Sequence, residues 1–233
     1  TITVNEGDPV PPLQVQSAGT NIAFNWFTQA IGGTPVFTGN AYAPNIVIPG
    51  IYTWFAESIN TSTGCVSRSR TALTMVIIDL PYVLFRAKVR LQGPFNAATG
   101  LMSTQLQSAG LLPYFQPFYD APWYYPGYNE DVGSTANIPP TVTDWILIEA
   151  RNAANPDIIA EQRAVFLRND GTVIDIDGTE GVQFFFLNPN TAYFLIARSR
   201  NHLAVMSSVP VTLPNFALYD FTLPTNVMGG SAQ

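Results

Sequence analysis

The sequence predicts an all-β protein made of two β-sandwich domains of Greek-key type in tandem. Three observations carry that prediction. First, 17 glycines and 19 prolines are spread over the 233 residues as regular punctuation. Second, the runs between them are short, rich in β-branched and aromatic residues, and often alternate apolar with polar. Third, helical periodicity surfaces only at 101–110, as a short helix with Leu101, Met102 and Leu106 inward.

The strands follow in order. Residues 21–27, 51–58 and 67–78 open the chain; in the last, Leu73, Met75 and Ile77 alternate with Ala72, Thr74 and Val76. Asp79-Leu80-Pro81 then marks a boundary, giving domains at 1–79 and 80–233. Residues 82–92 put Val83, Phe85, Ala87, Val89 and Leu91 on one face, with Arg86, Lys88, Arg90 and Gln92 solvated on the other. Later strands are 143–151, 161–168, 172–177, 182–187, 192–200, 204–213 and 217–223, with Asn169-Asp170-Gly171 as a hairpin turn. A long aromatic and proline-rich loop, 113–135, interrupts the second domain.

Charge is sparse. Ten Lys+Arg and 16 Asp+Glu make 11% of the chain, against about a quarter in globular proteins. The surface is therefore neutral and polar, or covered. A hydrophobic content of 47% excludes disorder. A net charge of −6 argues against nucleic acid and anionic membranes as partners, and no apolar run approaches the roughly 20 residues of a spanning helix, so membrane insertion is not expected. Thr1 is not an initiator, as expected of a processed chain or a piece of a longer one. Cys65 is the sole cysteine, read as a small buried apolar residue without a disulfide partner.

Certain runs resemble known modules. Residues 50–58 and 64–71, with Asn25-Trp26-Phe27 and Gly32-Gly33-Thr34, resemble small immunoglobulin-like modules of large secreted and surface proteins in bacteria that use type IX secretion. Many of those carry a second cysteine near their start; the region around Asn5-Glu6-Gly7 has none. The runs 89–96, 100–102, 111–113, 121–123, 144–149, 169–171, 175–178 and 200–206 resemble a β-rich module near the C-terminal ends of the same proteins. The resemblance implies an immunoglobulin-like sandwich in the first domain and an extracellular or cell-surface location. It brings no catalytic residue. Relatives usually continue past a segment like 229–233 into a sorting domain, and the aromatics near position 120 are denser here than in that module.

Four features bear on function. Tyr114, Phe115, Phe118, Tyr119, Trp123, Tyr124, Tyr125 and Tyr128 are eight aromatics among the sixteen residues 113–128, stiffened by four prolines. Such a loop packs over its own sandwich, buries against a partner, or stacks on sugar rings. Asp170, Asp175, Asp177 and Glu180 form an acidic loop, read either as turn formers or as oxygen ligands for calcium, and no other cofactor is expected. Arg198, Arg200 and His202 share a strand face suited to a carboxylate or sulfate, or to cross-strand ion pairs. Ile2 and Val4 lie on a β-prone arm ahead of Pro9, Pro11 and Pro12, which pairs in its own domain or exchanges with a neighbour. No Gly-x-Ser-x-Gly elbow accompanies His202, the single histidine, and no carboxylate pair stands out. The expectation is a non-enzymatic extracellular structural or adhesive protein acting through protein–protein packing. Its partners would be copies of itself or other surface proteins, as in a surface fibre. The alternative is a carbohydrate-binding accessory module that stacks glycans on Trp123.

Overall fold

Strands dominate the computed structural model, which describes residues 1–16 and 19–230. They gather into two units, Thr1–Leu80 and Pro81–Gln233. The first contains β1 (Ile2–Asn5), β2 (Leu13–Gln14), β3 (Ile22–Phe27), β4 (Phe37–Thr38), β5 (Ala41–Tyr42), β6 (Gly50–Asn60) and β7 (Thr71–Ile78). A five-stranded sheet runs β1-β7-β6-β3-β4, and β2 pairs with β5. Period-two alternation builds the core: Phe24 and Trp26 from β3, Trp54 and Ala56 from β6, and Met75 and Ile77 from β7 close over Leu13. The buried Trp26 indole needs a hydrogen-bond acceptor and donates to the Gly39 carbonyl at 2.8 Å.

One of two alternatives is seen here, and one expectation changes. β1 lies parallel to β7, with Ile2 opposite Met75 and Val4 opposite Ile77, so the N-terminal arm is paired within its own chain. Cys65 is exposed, not buried. The backbone of 61–70 is not strand: Asn60 Oδ1 accepts the Ser62 and Thr63 N–H groups and turns the chain, and β7 starts only at Thr71.

The second unit contains β8 (Val83–Lys88), β9 (Phe95–Asn96), β10 (Leu101–Met102), α1 (Gln105–Ser108), β11 (Val142–Asn152), β12 (Ile159–Arg168), β13 (Val173–Ile174), β14 (Val182–Phe184), β15 (Thr191–Arg198), β16 (Val205–Met206), β17 (Val211–Leu213) and β18 (Asn215–Asp220). The large sheet runs β13-β12-β11-β15-β16, with β17 also on β15; a second sheet runs β14-β8-β18. Val83, Phe85 and Ala87 of β8 share one core with Ile146 and Ile148 of β11, Val165 and Leu167 of β12, and Leu195 of β15. This is the inner layer of a sandwich.

β11 is buried on both faces, from Val142 to Ala150. Its other face carries Trp145 and Leu147, which pack with Phe166, Leu112, Phe118, Tyr125 and Ile138 in a second cluster. The aromatic loop is thus a lid on the outside of the sheet, pinned where Trp145 Nε1 donates to the Pro113 carbonyl at 2.9 Å. The predicted helix contracts to α1; Leu101 and Leu106 face solvent, because Leu101–Met102 pairs with Phe95–Asn96 as a strand and only Met102 turns inward. The basic face of β8 is not freely solvated either. Arg86 Nη1 donates to the Phe216 carbonyl at 3.3 Å, and the Arg90 guanidinium sits 4.8 Å from the Phe95 ring centre.

Candidate functional site

The aromatic loop divides its eight rings. Phe118 and Tyr125 are buried in the lid core, so these two are withdrawn from the interaction surface the sequence suggested. Trp123 is half-buried, its ring nearly perpendicular to that of Phe118 with the centroids 5.4 Å apart. Tyr114, Phe115, Tyr119, Tyr124 and Tyr128 face outward, with Tyr119 and Tyr124 at 67% and 74% exposure.

Buried polar groups hold this division in place. Gln116 accepts the Phe118 N–H through Oε1 at 2.7 Å and donates through Nε2 to the Tyr125 carbonyl at 3.2 Å. Glu130 accepts the Tyr125 hydroxyl proton and the Tyr128 N–H. Behind Glu130 stands Arg163 of β12, with Nη1 3.1 Å from Glu130 Oε1 and Nη2 3.2 Å from Asp175 Oδ1. Burial, and then the Glu130 carboxylate, push the Tyr125 hydroxyl far above its ordinary range. The tyrosine stays a neutral donor. Neither Glu130 nor Arg163 was singled out by sequence; they are distant in the chain, and only the folded loop joins them.

A second aromatic segment adjoins the first. β14 ends at Phe184, and the next two rings, Phe185 and Phe186, turn outward. Glu161 of β12 accepts both of their N–H groups, each at 2.9 Å. Burial raises the Glu161 carboxyl's pKa, and those two bonds pull it back. The Phe186 ring centre lies 5.1 Å from that of Tyr128, tilted by 40°. Beside this pair opens a groove of about 440 Å³, with Arg163, Asp175, Asp177 and Gln183 on its polar side. Three consecutive phenylalanines at 184–186 were the signal for this: unless both faces of a strand are covered, its period of two turns at least one of them outward.

The acidic loop does not assemble a calcium site. Asp170 accepts the Thr172 N–H at 2.9 Å, and Asp175 accepts the Gln183 N–H at 3.0 Å beside Arg163. Asp177 accepts the Thr179 N–H and a Gln183 side-chain proton, both at 2.9 Å, and Glu180 pairs with Arg168 at 3.2 Å. Each carboxylate serves its own turn or cation, and among the described residues no three His, Cys, Asp or Glu side chains converge as a metal site. Burial raises the Asp175 pKa. At Asp170 and Asp177 burial also acts upward, but the turn hydrogen bonds outweigh it and lower both.

The basic strand end is occupied as well. Arg198 Nε meets Glu149 Oε1 at 2.7 Å, and Arg200 Nη2 meets Asp144 Oδ1 at 2.5 Å. His202 Nε2 accepts the Gly93 N–H at 3.3 Å, which leaves the neutral ring's proton on Nδ1, directed to Ser199 Oγ at 3.1 Å. His202 is therefore not arranged as a base toward Ser199.

In the first unit, the charge-free tract from Val10 to Ala56 leaves Ile31 at 89% and Ile51 at 74% exposure, with Val47 and Ile48 also open to solvent. Residues 1–78 match the family model described as an Ig-like domain, CHU_C associated. The match supports an immunoglobulin-like module of bacterial type in that unit, a class that is generally non-catalytic and is consistent with protein–protein interaction in a secreted or surface protein. Among curated proteins, none matches the chain. Among the described residues, no helix is long and apolar enough to cross a membrane.

Proposed function

We propose that this is a non-enzymatic, extracellular structural or adhesive protein whose aromatic loop packs against other protein subunits, including copies of itself. We assign its second unit to the β-rich class found near the C-terminal ends of type IX-secreted surface proteins. The observation that carries the reading is the division of the loop. Five rings stay in water while the backbone beneath them is fixed by Gln116, Glu130 and Arg163. Large aromatic side chains carry about 150–250 Å² each, so five rings at 42–74% exposure leave roughly 500–600 Å² of aromatic surface in solvent. That is most of the roughly 800 Å² each partner contributes to a standard interface. A rigid surface with few charges, Asp120 and Asp131 being the exposed ones in residues 113–135, loses little conformational entropy when it docks. The apolar side chains of the first unit, Ile31 and Ile51 among them, supply a second, different surface of the same neutral character. Contact between unlike surfaces of successive copies is heterologous and propagates into a fibre.

Light scattering over a concentration series, with electron microscopy of the most concentrated sample, tests this. The reading expects mass to grow with concentration and filaments to appear. A monodisperse monomer without filaments contradicts it.

A further inference from the structure

The groove beside the aromatic loop has a construction that subunit packing does not require. Its rim is three exposed rings, Tyr128, Phe185 and Phe186, each anchored through the backbone to a carboxylate. Glu130 receives the Tyr128 N–H, and Glu161 receives those of Phe185 and Phe186. Both carboxylates are themselves buried, Glu130 at 2% and Glu161 at 5% exposure. Burying two carboxylates costs free energy that an apolar pair would not; what they supply is fixed positions for three rings that would otherwise collapse onto the protein. The polar side is planar and mixed. Gln183 contributes an amide bonded to the Asp177 carboxylate at 2.9 Å, and Arg163 lies beneath, under the Phe185 ring at 5.1 Å. Arg163 is 4% exposed, and its Nε is buried with no hydrogen-bond partner among the described residues. Its Nη1 and Nη2 are engaged by Glu130 and Asp175, so Arg163 braces the floor of the groove.

We propose that this groove binds pyranose units of a neutral glycan, with the adjoining Phe186 and Tyr128 rings stacking on a sugar face and Asp177 and Gln183 hydrogen-bonding the hydroxyls. Each element of the site answers a feature of that ligand class. A pyranose presents a flat face of C–H bonds, which suits an aromatic ring. Its edges are hydroxyls that both donate and accept, which suits a carboxylate and an amide side by side. The volume of about 440 Å³ falls within the about 300–1,000 Å³ of small-ligand sites. Charge decides between neutral and acidic sugars. The single cation, Arg163, already faces Glu130 and Asp175, and Asp177 adds a further negative charge, so an anionic glycan meets repulsion. This site is separate from Trp123 and does not depend on assembly.

The test is binding of the full chain to a printed glycan array, followed by affinity electrophoresis through gels of soluble neutral glucans, mannans and galactans, with alginate and polygalacturonate as anionic comparisons. Retention by at least one neutral glycan and none by the anionic ones is expected. Phe186→Ala and Tyr128→Ala should each weaken binding about tenfold or more, Phe186→Trp should retain it, and Tyr124→Ala, a loop ring outside the groove, should leave it unchanged. Because these side chains are exposed, none of the changes removes core packing; unchanged hydrogen exchange in residues 142–168 checks this. No retention by any neutral glycan, equal retention of Phe186→Ala, or preference for the anionic polymers would each overturn the proposal. Sedimentation of the same variants reads self-association separately, so failure of one reading does not entail failure of the other.

Discussion

Replacing Arg163 by methionine isolates the group that holds the aromatic loop. The side chains involved are almost fully buried: 5% exposure for Arg163, 0% for Glu130 and 2% for Asp175. Methionine fills much of the same volume, so the chief loss is charge compensation, not a cavity. Removing one partner of a buried ion pair costs about 3–5 kcal/mol. For a unit of this size each kcal/mol moves the midpoint by about 2–4 °C, giving a drop in Tm of roughly 6–20 °C. The assay is calorimetry at pH 7, with hydrogen exchange by mass spectrometry assigning the shifted transition to residues 81–230. Exchange should rise first at 116–130, where the loop backbone leans on Glu130. The pH dependence has a definite sign. Burial already raises the Asp175 pKa, and Arg163 is among the groups that hold it down. Without Arg163 the folded-state value rises further above the ordinary 3.8, so the variant recovers stability as pH falls from neutral through that raised value, levelling off below 3.8. A fall of less than about 2 °C at pH 7, or a deficit that widens on acidification, would refute the reasoning.

Two further outcomes are expected. Glu161→Gln turns an acceptor of two N–H groups into a side chain that points a donor at one of them; it should cost about 1–3 kcal/mol and speed hydrogen exchange at 184–187 without change in the first unit, as mass spectrometry would read. Glu6 has its pKa raised by burial and then by the neighbouring Asp79. Wild type therefore gains stability as pH falls from neutral through that raised value to 4.5, and Glu6→Gln should be the more stable protein at pH 7 and lose that advantage below pH 4.5, followed by thermal melts across the range.

What the sequence revealed and what it hid follows from the range of the interactions. Met75 and Ile77 were legible as core because their strand alternates, and alternation is local. Trp145 and Leu147 were not legible as a second core; the same strand carries Ile146 and Ile148 on its other side, so apolar residues on both faces were the available sign of a lid. Why Phe118 and Tyr125 go inward while Tyr119 and Tyr124 go outward could not be read at all. That choice is made by Gln116, Glu130 and Arg163, which meet only in the fold. The acidic loop misled for a related reason: closely spaced aspartates satisfy turns through their own backbones, as Asp170 and Asp177 do here, and nothing in the spacing distinguishes that from a ligand set. Cys65 was misplaced because it was read from residue type alone, whereas the turn after Asn60 leaves it exposed.

The central claim is that the outward rings of the loop join one chain to another. Sedimentation velocity of the wild type and of the double variant Tyr119→Ser/Tyr124→Ser, over a hundredfold range of concentration, tests it most directly. The wild type should sediment as growing oligomers while the double variant, with these two exposed rings removed and the core intact, stays at the mass of one chain. A wild type that remains a single chain throughout, or a double variant that associates as the wild type does, would contradict the account.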